Sequence, residues 1–322
     1  MNRVDWYGPN TWSWNPLAMR CAPVGPGCKR CWHLRMANRL AGMRQLPEAE
    51  RRAWSGKGPP VLREKELLAP LRRKKPSLIA VQFMGDWMHE SVRPEVVDRI
   101  LEVMGAARQH TFLTLTKRPE RFEEQIYGWV GDKYPIRELG GGDYEPNVWL
   151  GISAEDQASL DARMGPLLAL GGGWRRWVSL EPLLGPVDVS GPVGAERSDS
   201  GEWLPNREAV FSRQPLVGWV VIGCESGPGR RPCRWEWVRD IIEQCDAAPQ
   251  GGVPVFVKQM PVPREVKKGE WLYEMRTHPD ISPSYVDADC ETWDTRVSRE
   301  PAEWPVWARR RKRAWADTVV KK

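Results

Sequence analysis

Six short runs of nearly unbroken apolar, β-branched residues recur along the chain. They are SLIAVQFM (77–84), HTFLTLT (110–116), NVWLGIS (147–153), RRWVSLE (175–181), GWVVIGCE (218–225) and VPVFVKQ (253–259). A strand covered on both faces reads this way, whereas a half-exposed strand alternates apolar with polar. The segments between them have helical spacing. In 93–107, Val96, Val97, Ile100, Leu101 and Met104 share one helix face, and Pro94 suits a first turn. Residues 117–130, 156–170 and 234–248 read as helices in the same manner. Strand and helix alternate, which predicts βαβ units and a parallel sheet.

Each run passes directly into polar or Gly-containing residues: Gly85-Asp86, Lys117-Arg118, Ser153 with Glu155, Glu181, Glu225-Ser226 and Lys258. In parallel α/β folds ligands bind at these carboxyl ends. TWSW (11–14) is a seventh short strand, and it delivers the chain after it to the same mouth. The expected fold is therefore α/β, a partial or near-complete (βα) barrel with parallel strands over 1–260. Residues 187–215, rich in Gly, Ser, Pro and charge, read as a surface insertion. Residues 261–322 lose the alternation and read as an irregular, basic, Trp-rich C-terminal extension.

Composition narrows the setting. The 322 residues are 41% hydrophobic, sufficient for a real core. No run approaches the roughly 18 apolar residues of a membrane span, and the N-terminus lacks the basic-then-apolar order of a secretory signal. A soluble, cytoplasmic chain is expected, where clustered thiols more often bind metal than form disulfides. The net charge of +6 points mildly to an anionic partner. Much of that charge sits in RRKK (72–75) and RRRKR (309–313), each of which also reads as a solvated face. Among 19 tryptophans, Trp32, Trp87 and Trp149 lie beside the motifs, where aromatic rings among basic residues suit stacked bases.

The sharpest chemistry is MRCAPVGPGCKRCWHLRM (19–36), which places Cys21, Cys28 and Cys31 in a Pro/Gly loop. Structural zinc closes with four ligands, and only His33 nearby or His89 at a distance can complete a Cys3His set. The alternative is a [4Fe–4S] cluster with three protein thiolates and one open iron. An open iron that chelates S-adenosylmethionine can deliver the electron that cleaves its sulfonium, within an enclosed cavity. On that reading the three-thiol count is a requirement.

Other groups would hold the rest of the cofactor. Asp86, after Gly85, meets a ligand ammonium or serves as a turn residue. Glu181 accepts from ribose hydroxyls or pairs with Lys117 or Arg118. Gly223, Glu225 and Ser226 form a turn able to approach an adenine or carboxylate. Lys117, Arg118 and Lys258 would meet a substrate phosphate or carboxylate, and Ser153 and Glu155 stand on the same rim. Cys224 and Cys245 read as packing thiols. No nucleophile elbow, Walker loop or His-Glu-x-x-His helix is present.

Taken in order, WNP…C…GC..C, GDWMHE, TKRPER, PNVWLGIS, SLEPLLGPVD, VIGCESGPGRRP and VPVFVKQ resemble the phage-associated three-cysteine-motif family over about residues 11–260. That family is similar to radical S-adenosylmethionine enzymes, whose catalytic domain is a partial (βα)6 barrel. The resemblance implies thiolate roles for Cys21, Cys28 and Cys31, although their Cys-x6-Cys-x2-Cys spacing departs from the commonest three-then-two pattern. It also puts Asp86 where an amino-binding acid would lie. The expected function is an iron–sulfur enzyme of radical S-adenosylmethionine type, served by an electron donor and acting on a nucleic acid or nucleotide. The competing expectation is a non-enzymatic, zinc-stabilised, nucleic-acid-associated protein.

Overall fold

The computed structural model describes residues 1–4, 11–127, 147–170, 174–198, 203–205, 215–226, 229–249, 251–263 and 295–298. One sheet holds nine strands: β1 (Asn2–Val4), β2 (Thr11–Trp14), β3 (Leu78–Val81), β4 (Thr111–Thr114), β5 (Val148–Ala154), β6 (Arg175–Leu180), β7 (Val220–Gly223), β8 (Val255–Pro263) and β9 (Thr295–Ser298). Their order in the sheet is their order in the chain. β2 to β8 are mutually parallel, while β1 and β9 close the two edges antiparallel. Among the described residues no strand pair joins β1 to β9, so the curled sheet is a partial barrel.

Five longer helices are α1 (Trp32–Ala41), α2 (Glu48–Ser55), α3 (Pro94–Ala106), α4 (Gln157–Ala169) and α5 (Trp235–Ala247). α3, α4 and α5 are the crossovers that the periodicity predicts. α3 buries Val97, Ile100, Leu101 and Met104 against the sheet. α4 opens with a capping box, in which the Asp156 side chain accepts from Ser159 N and the Ser159 hydroxyl accepts from Asp156 N.

The structure corrects several sequence expectations. The helix expected over 117–130 is instead a 3₁₀ turn, Pro119–Arg121, followed by a π-helical turn, Glu123–Tyr127. The bond from Arg121 N to Arg118 O closes its first turn at three residues; residues 128–130 lie outside the described residues. The segment read as a surface insertion, 187–215, begins inside the core, where Val187, Val189, Val193 and Ala195 are buried. Trp87 and Trp149 are buried core residues, while Trp32 is 40% exposed. The run RRRKR and most of the C-terminal extension lie outside the described residues. α1 and α2 had no counterpart in the periodic reading, since α1 buries only His33 and Ala37 and α2 only Ala53 and Trp54.

Side chains alternate across the sheet with period two. Outward residues pack under the helices. Inward residues Leu78, Ala80, Leu113, Trp149, Trp177, Trp219, Val221 and Phe256 form a separate buried cluster in the lumen. Trp177 stacks on Trp219 at 5.1 Å and on Phe83 at 6.3 Å. Trp177 fits because residue 151 is glycine: a Cβ there would collide with the indole and with Thr114 O, which accepts from Trp177 Nε1 at 3.0 Å.

Candidate functional site

Two residues further along the same strands, the inward face changes character. Ser153 follows Gly151, Ser179 follows Trp177 and Lys258 follows Phe256. These three line a cavity of about 200 Å³ at the carboxyl ends of the strands. Ser179 Oγ is buried there without a hydrogen-bond partner. Phe83 and Leu115 form apolar parts of the wall, and the cysteine loop covers the cavity from above.

That loop leaves β2, pairs briefly with Val61–Leu62 through Leu17–Ala18, and ends in a 3₁₀ turn, Pro26–Arg30. Cys28 N bonds Gly25 O at 3.0 Å and Cys31 N bonds Cys28 O at 3.1 Å, so the turn sets the path between the last two cysteines. Cys21, Cys28 and Cys31 are all free thiols, and all three line the cavity. Burial pushes the Cys21 thiol up to about 12; the Asp86 charge adds to this and Arg118 opposes it. Burial raises Cys31 as well, opposed by the His33 and Leu34 amides at the start of α1.

Buried polar groups from distant strands hold the loop. Glu155, at the end of β5, is fully buried. Its Oε1 accepts from Gly27 N at 3.1 Å, and its Oε2 accepts from Lys117 Nζ at 3.0 Å and Arg163 Nη1 at 2.7 Å. Burial works to raise its pKa, but the charges and hydrogen bonds of Lys117 and Arg163 prevail and hold it below the usual range. A Cβ on Gly25 would collide with Glu155 Oε1, so the loop backbone must be bare there. Arg118 reaches the loop from β4, donating to Ala22 O at 3.0 Å and approaching Cys21 Sγ at 3.6 Å. Arg231 donates to Pro26 O at 2.9 Å.

Both histidines considered as fourth ligands serve this scaffold. His33 Nε2 accepts from Cys21 N at 3.3 Å, and His89 Nε2 accepts from Ala22 N at 3.1 Å. Burial, with help from the Arg20 charge, lowers His33 to about 4, so its ring is neutral and able to accept.

The remaining predicted residues also gather here, in altered roles. Asp86 is 6% exposed, and both its oxygens are engaged within the protein. Oδ1 accepts from Met88 N and Thr116 Oγ1, and Oδ2 from Lys117 N and Arg118 Nη1. It braces the strand ends, as the turn reading expects, and it also lines the cavity. Gly85 gives it this position at φ 120°. Glu181 pairs with Lys258 at 2.7 Å, and neither Lys117 nor Arg118 is its partner. Gly223 backs Glu181, leaving only 3.1 Å for an added Cβ. Glu225 joins Arg231 and Arg30; burial opposes its ionisation, but these partners hold its pKa low. Ser226 is exposed on the cavity wall.

The cavity thus collects the predicted residues, apart from Glu155 and Gly223, which stand directly behind its lining. Sequence reading missed the roles of Arg163, Arg231 and Gln82, although Arg231 stands within VIGCESGPGRRP and Gln82 within SLIAVQFM. Gln82, at φ 52°, exchanges bonds with Leu17 N and Leu17 O and so ties the start of the loop to β3. Cys224, read as a packing thiol, is buried but also lines the cavity. Among the described residues no three His, Cys, Asp or Glu side chains are gathered as a bound metal ion would hold them. The cysteines share a cavity without converging on one point.

The class that fold and site define is an α/β partial barrel with a cavity at the carboxyl ends of its parallel strands. The family model described as "Protein of unknown function (DUF5131)" matches residues 3–302, and the chain belongs to that family. No curated protein and no solved structure matches it.

Proposed function

We propose that the protein is an iron–sulfur enzyme of radical S-adenosylmethionine type, with Cys21, Cys28 and Cys31 as the cluster ligands. The observation that carries this reading is the ligand count. Three free thiols line one cavity at the carboxyl ends of parallel strands, while both nearby histidines are occupied by loop amides. A closed Cys3His zinc site needs one of those rings, so the same bonds argue against zinc. The residues fit the cluster in kind: a Pro/Gly loop supplies soft thiols, and Arg118 places a positive charge beside Cys21.

When bound, a cluster held at three corners would supply the electron that cleaves the sulfonium of S-adenosylmethionine, drawn from an external electron donor. The chain's own groups then divide the work. Arg118, Glu155 and Arg231 fix the loop. Glu181 has only Oε1 bound to Lys258, which leaves Oε2 for a ribose hydroxyl. Ser179 Oγ offers a donor and acceptor to a polar ligand, and exposed Ser226 presents a further polar group. Phe83 and Leu115 keep the inner wall dry. Among the described residues no helix is long and apolar enough to cross a membrane. Reduced thiols of this kind fit the cytoplasm, and the resemblance to phage-associated proteins would make it that of a host cell.

Anaerobic reconstitution with iron and sulfide tests the reading. The expected product is brown, with visible charge-transfer absorption, and releases 5′-deoxyadenosine when reduced with S-adenosylmethionine. Cys28→Ala should remove both signals. Colourless protein carrying one equivalent of zinc would overturn the proposal in favour of the binding protein.

A further inference from the structure

We propose that the substrate of this site is single-stranded nucleic acid, laid along the cysteine loop and α1 with a base stacked on Trp32 at the cavity entrance. This deepens the proposed function by naming its substrate class, and rests on that reading only for the chemistry that follows binding.

The first observation is charge. From Met19 to Pro47 the chain carries Arg20, Lys29, Arg30, Arg35, Arg39 and Arg44 and not one Asp or Glu. All of these except Arg20 are exposed. Elsewhere on the rim, cations stand in ion pairs: Lys117 with Glu155, Arg118 with Asp86, Lys258 with Glu181 and Arg231 with Glu225. Among the described residues Lys29, Arg35, Arg39 and Arg44 have no carboxylate partner. Positive charge without internal neutralisation is what a phosphate backbone recognises.

The second observation is Trp32. It is 40% exposed and begins α1 immediately after Cys31. On that helix Trp32, Arg35 and Arg39 stand at i, i+3 and i+7, which places ring and cations on one face. Trp32, Arg30 and Arg35 all line the cavity, with exposed Val24 beside them. An exposed indole on one helix face with Arg35 and Arg39, leading to a polar pocket, suits a strand whose bases are unstacked and free to turn inward. A duplex keeps its base faces covered, and an acidic protein has no use for a stacking platform.

The third observation is placement. RRKK, the denser basic run, precedes β3 at the opposite end of the barrel. There Arg73 packs over Trp12 at 3.9 Å and bonds Ser77 Oγ at 2.6 Å. That run is remote from the mouth and serves as the control.

The test is fluorescence anisotropy with labelled single-stranded oligodeoxythymidine or oligouridine and a hairpin duplex, titrated across salt. Tight, salt-dependent binding of either single strand in preference to the duplex is expected. Trp32→Ala should weaken it about 10-fold, and Trp32→Phe should restore most of the loss. Arg35→Glu with Arg39→Glu should reduce the salt slope by roughly 0.7 for each phosphate no longer neutralised. Arg72→Glu with Lys74→Glu should change little. Equal loss in that control, duplex preference, or no effect of Trp32→Ala would each overturn the proposal. Cys28→Ala separates the two readings, since it should keep strand binding while losing 5′-deoxyadenosine. Cluster chemistry without strand binding would defeat this inference alone, and strand binding without a cluster would defeat only the proposed function.

Discussion

The inward face of one set of strands is aromatic below and ionic above, and the change takes two residues. Trp177 gives way to Ser179 and Phe256 to Lys258. Below, Trp177, Trp219 and Phe256 fill the lumen to full burial and contribute on the order of 1.5–3 kcal/mol for each large apolar side chain. Above, buried Glu155, Asp86 and Arg118 must be desolvated, and the pairing of Asp86 with Arg118 and of Glu155 with Lys117 and Arg163 only roughly offsets that cost. The lower half therefore stabilises the fold, and the upper half holds a loop in one shape at little net gain. Such local departures from apolar patterning are expected where a site is built.

The comparison is tested most severely by Trp177→Ala. Its ring stacks on both Phe83 and Trp219, so the loss should approach the 3–5 kcal/mol typical of a buried aromatic. Denaturant titration would measure it. A loss under about 1 kcal/mol would mean that the lumen is not the stabilising half. Glu155→Ala should come next, about 3 kcal/mol, because it leaves Lys117 and Gly27 N without this acceptor and Arg163 with Ser153 O but no counter-charge. Glu155→Gln keeps an acceptor for Gly27 N and should cost less.

Glu155 also fixes the sign of the acid response. Its pKa and that of Glu225 are depressed in the fold, so the stability they contribute is complete above the ordinary value of 4.5. It is lost as pH falls through the folded values, when the native state must take up protons that the unfolded chain already holds. Thermal midpoints measured between about pH 5 and 3 should fall less steeply in Glu155→Gln than in the parent. Parallel curves would assign the acid loss to other groups.

Much of the lower half was legible in sequence and much of the upper half was not. Continuous burial marks most of β2 to β8 through runs such as LIAV and VVIG, because both sheet faces are covered. Strand ends follow from those runs, so the rim residues were found together. Their partners were not. Glu155 meets Gly27 across 128 residues and Arg231 meets Pro26 across 205, and no local pattern encodes a pairing made by topology. Asp86 showed the same limit, since its bonds to Thr116, Lys117 and Arg118 are made across some thirty residues and no local pattern announces them. β1 (NRV) and β9 (TRVS) each hold a single apolar residue, so no apolar run marks them. Trp32 was legible as a candidate, but only burial separates it from Trp87 and Trp149.

Lys258→Met gives the smallest expected change in stability and the closest test of the division. Lys258 and Glu181 are 14% and 22% exposed, and Met keeps most of the apolar stem, so the loss should be about 1 kcal/mol. Turnover should respond far more. Without Lys258, Glu181 would no longer be held against Gly223, and the carboxylate proposed to receive a ribose hydroxyl would lose its position. A drop in 5′-deoxyadenosine formation of about 10-fold or more, at nearly unchanged stability, is expected. Trp177→Ala should do the reverse, with large destabilisation and near-normal product per folded molecule at low temperature. If the two variants lose stability and turnover in the same proportion, lumen and mouth are one cooperative unit, and the boundary drawn between Trp177 and Ser179 has no functional meaning.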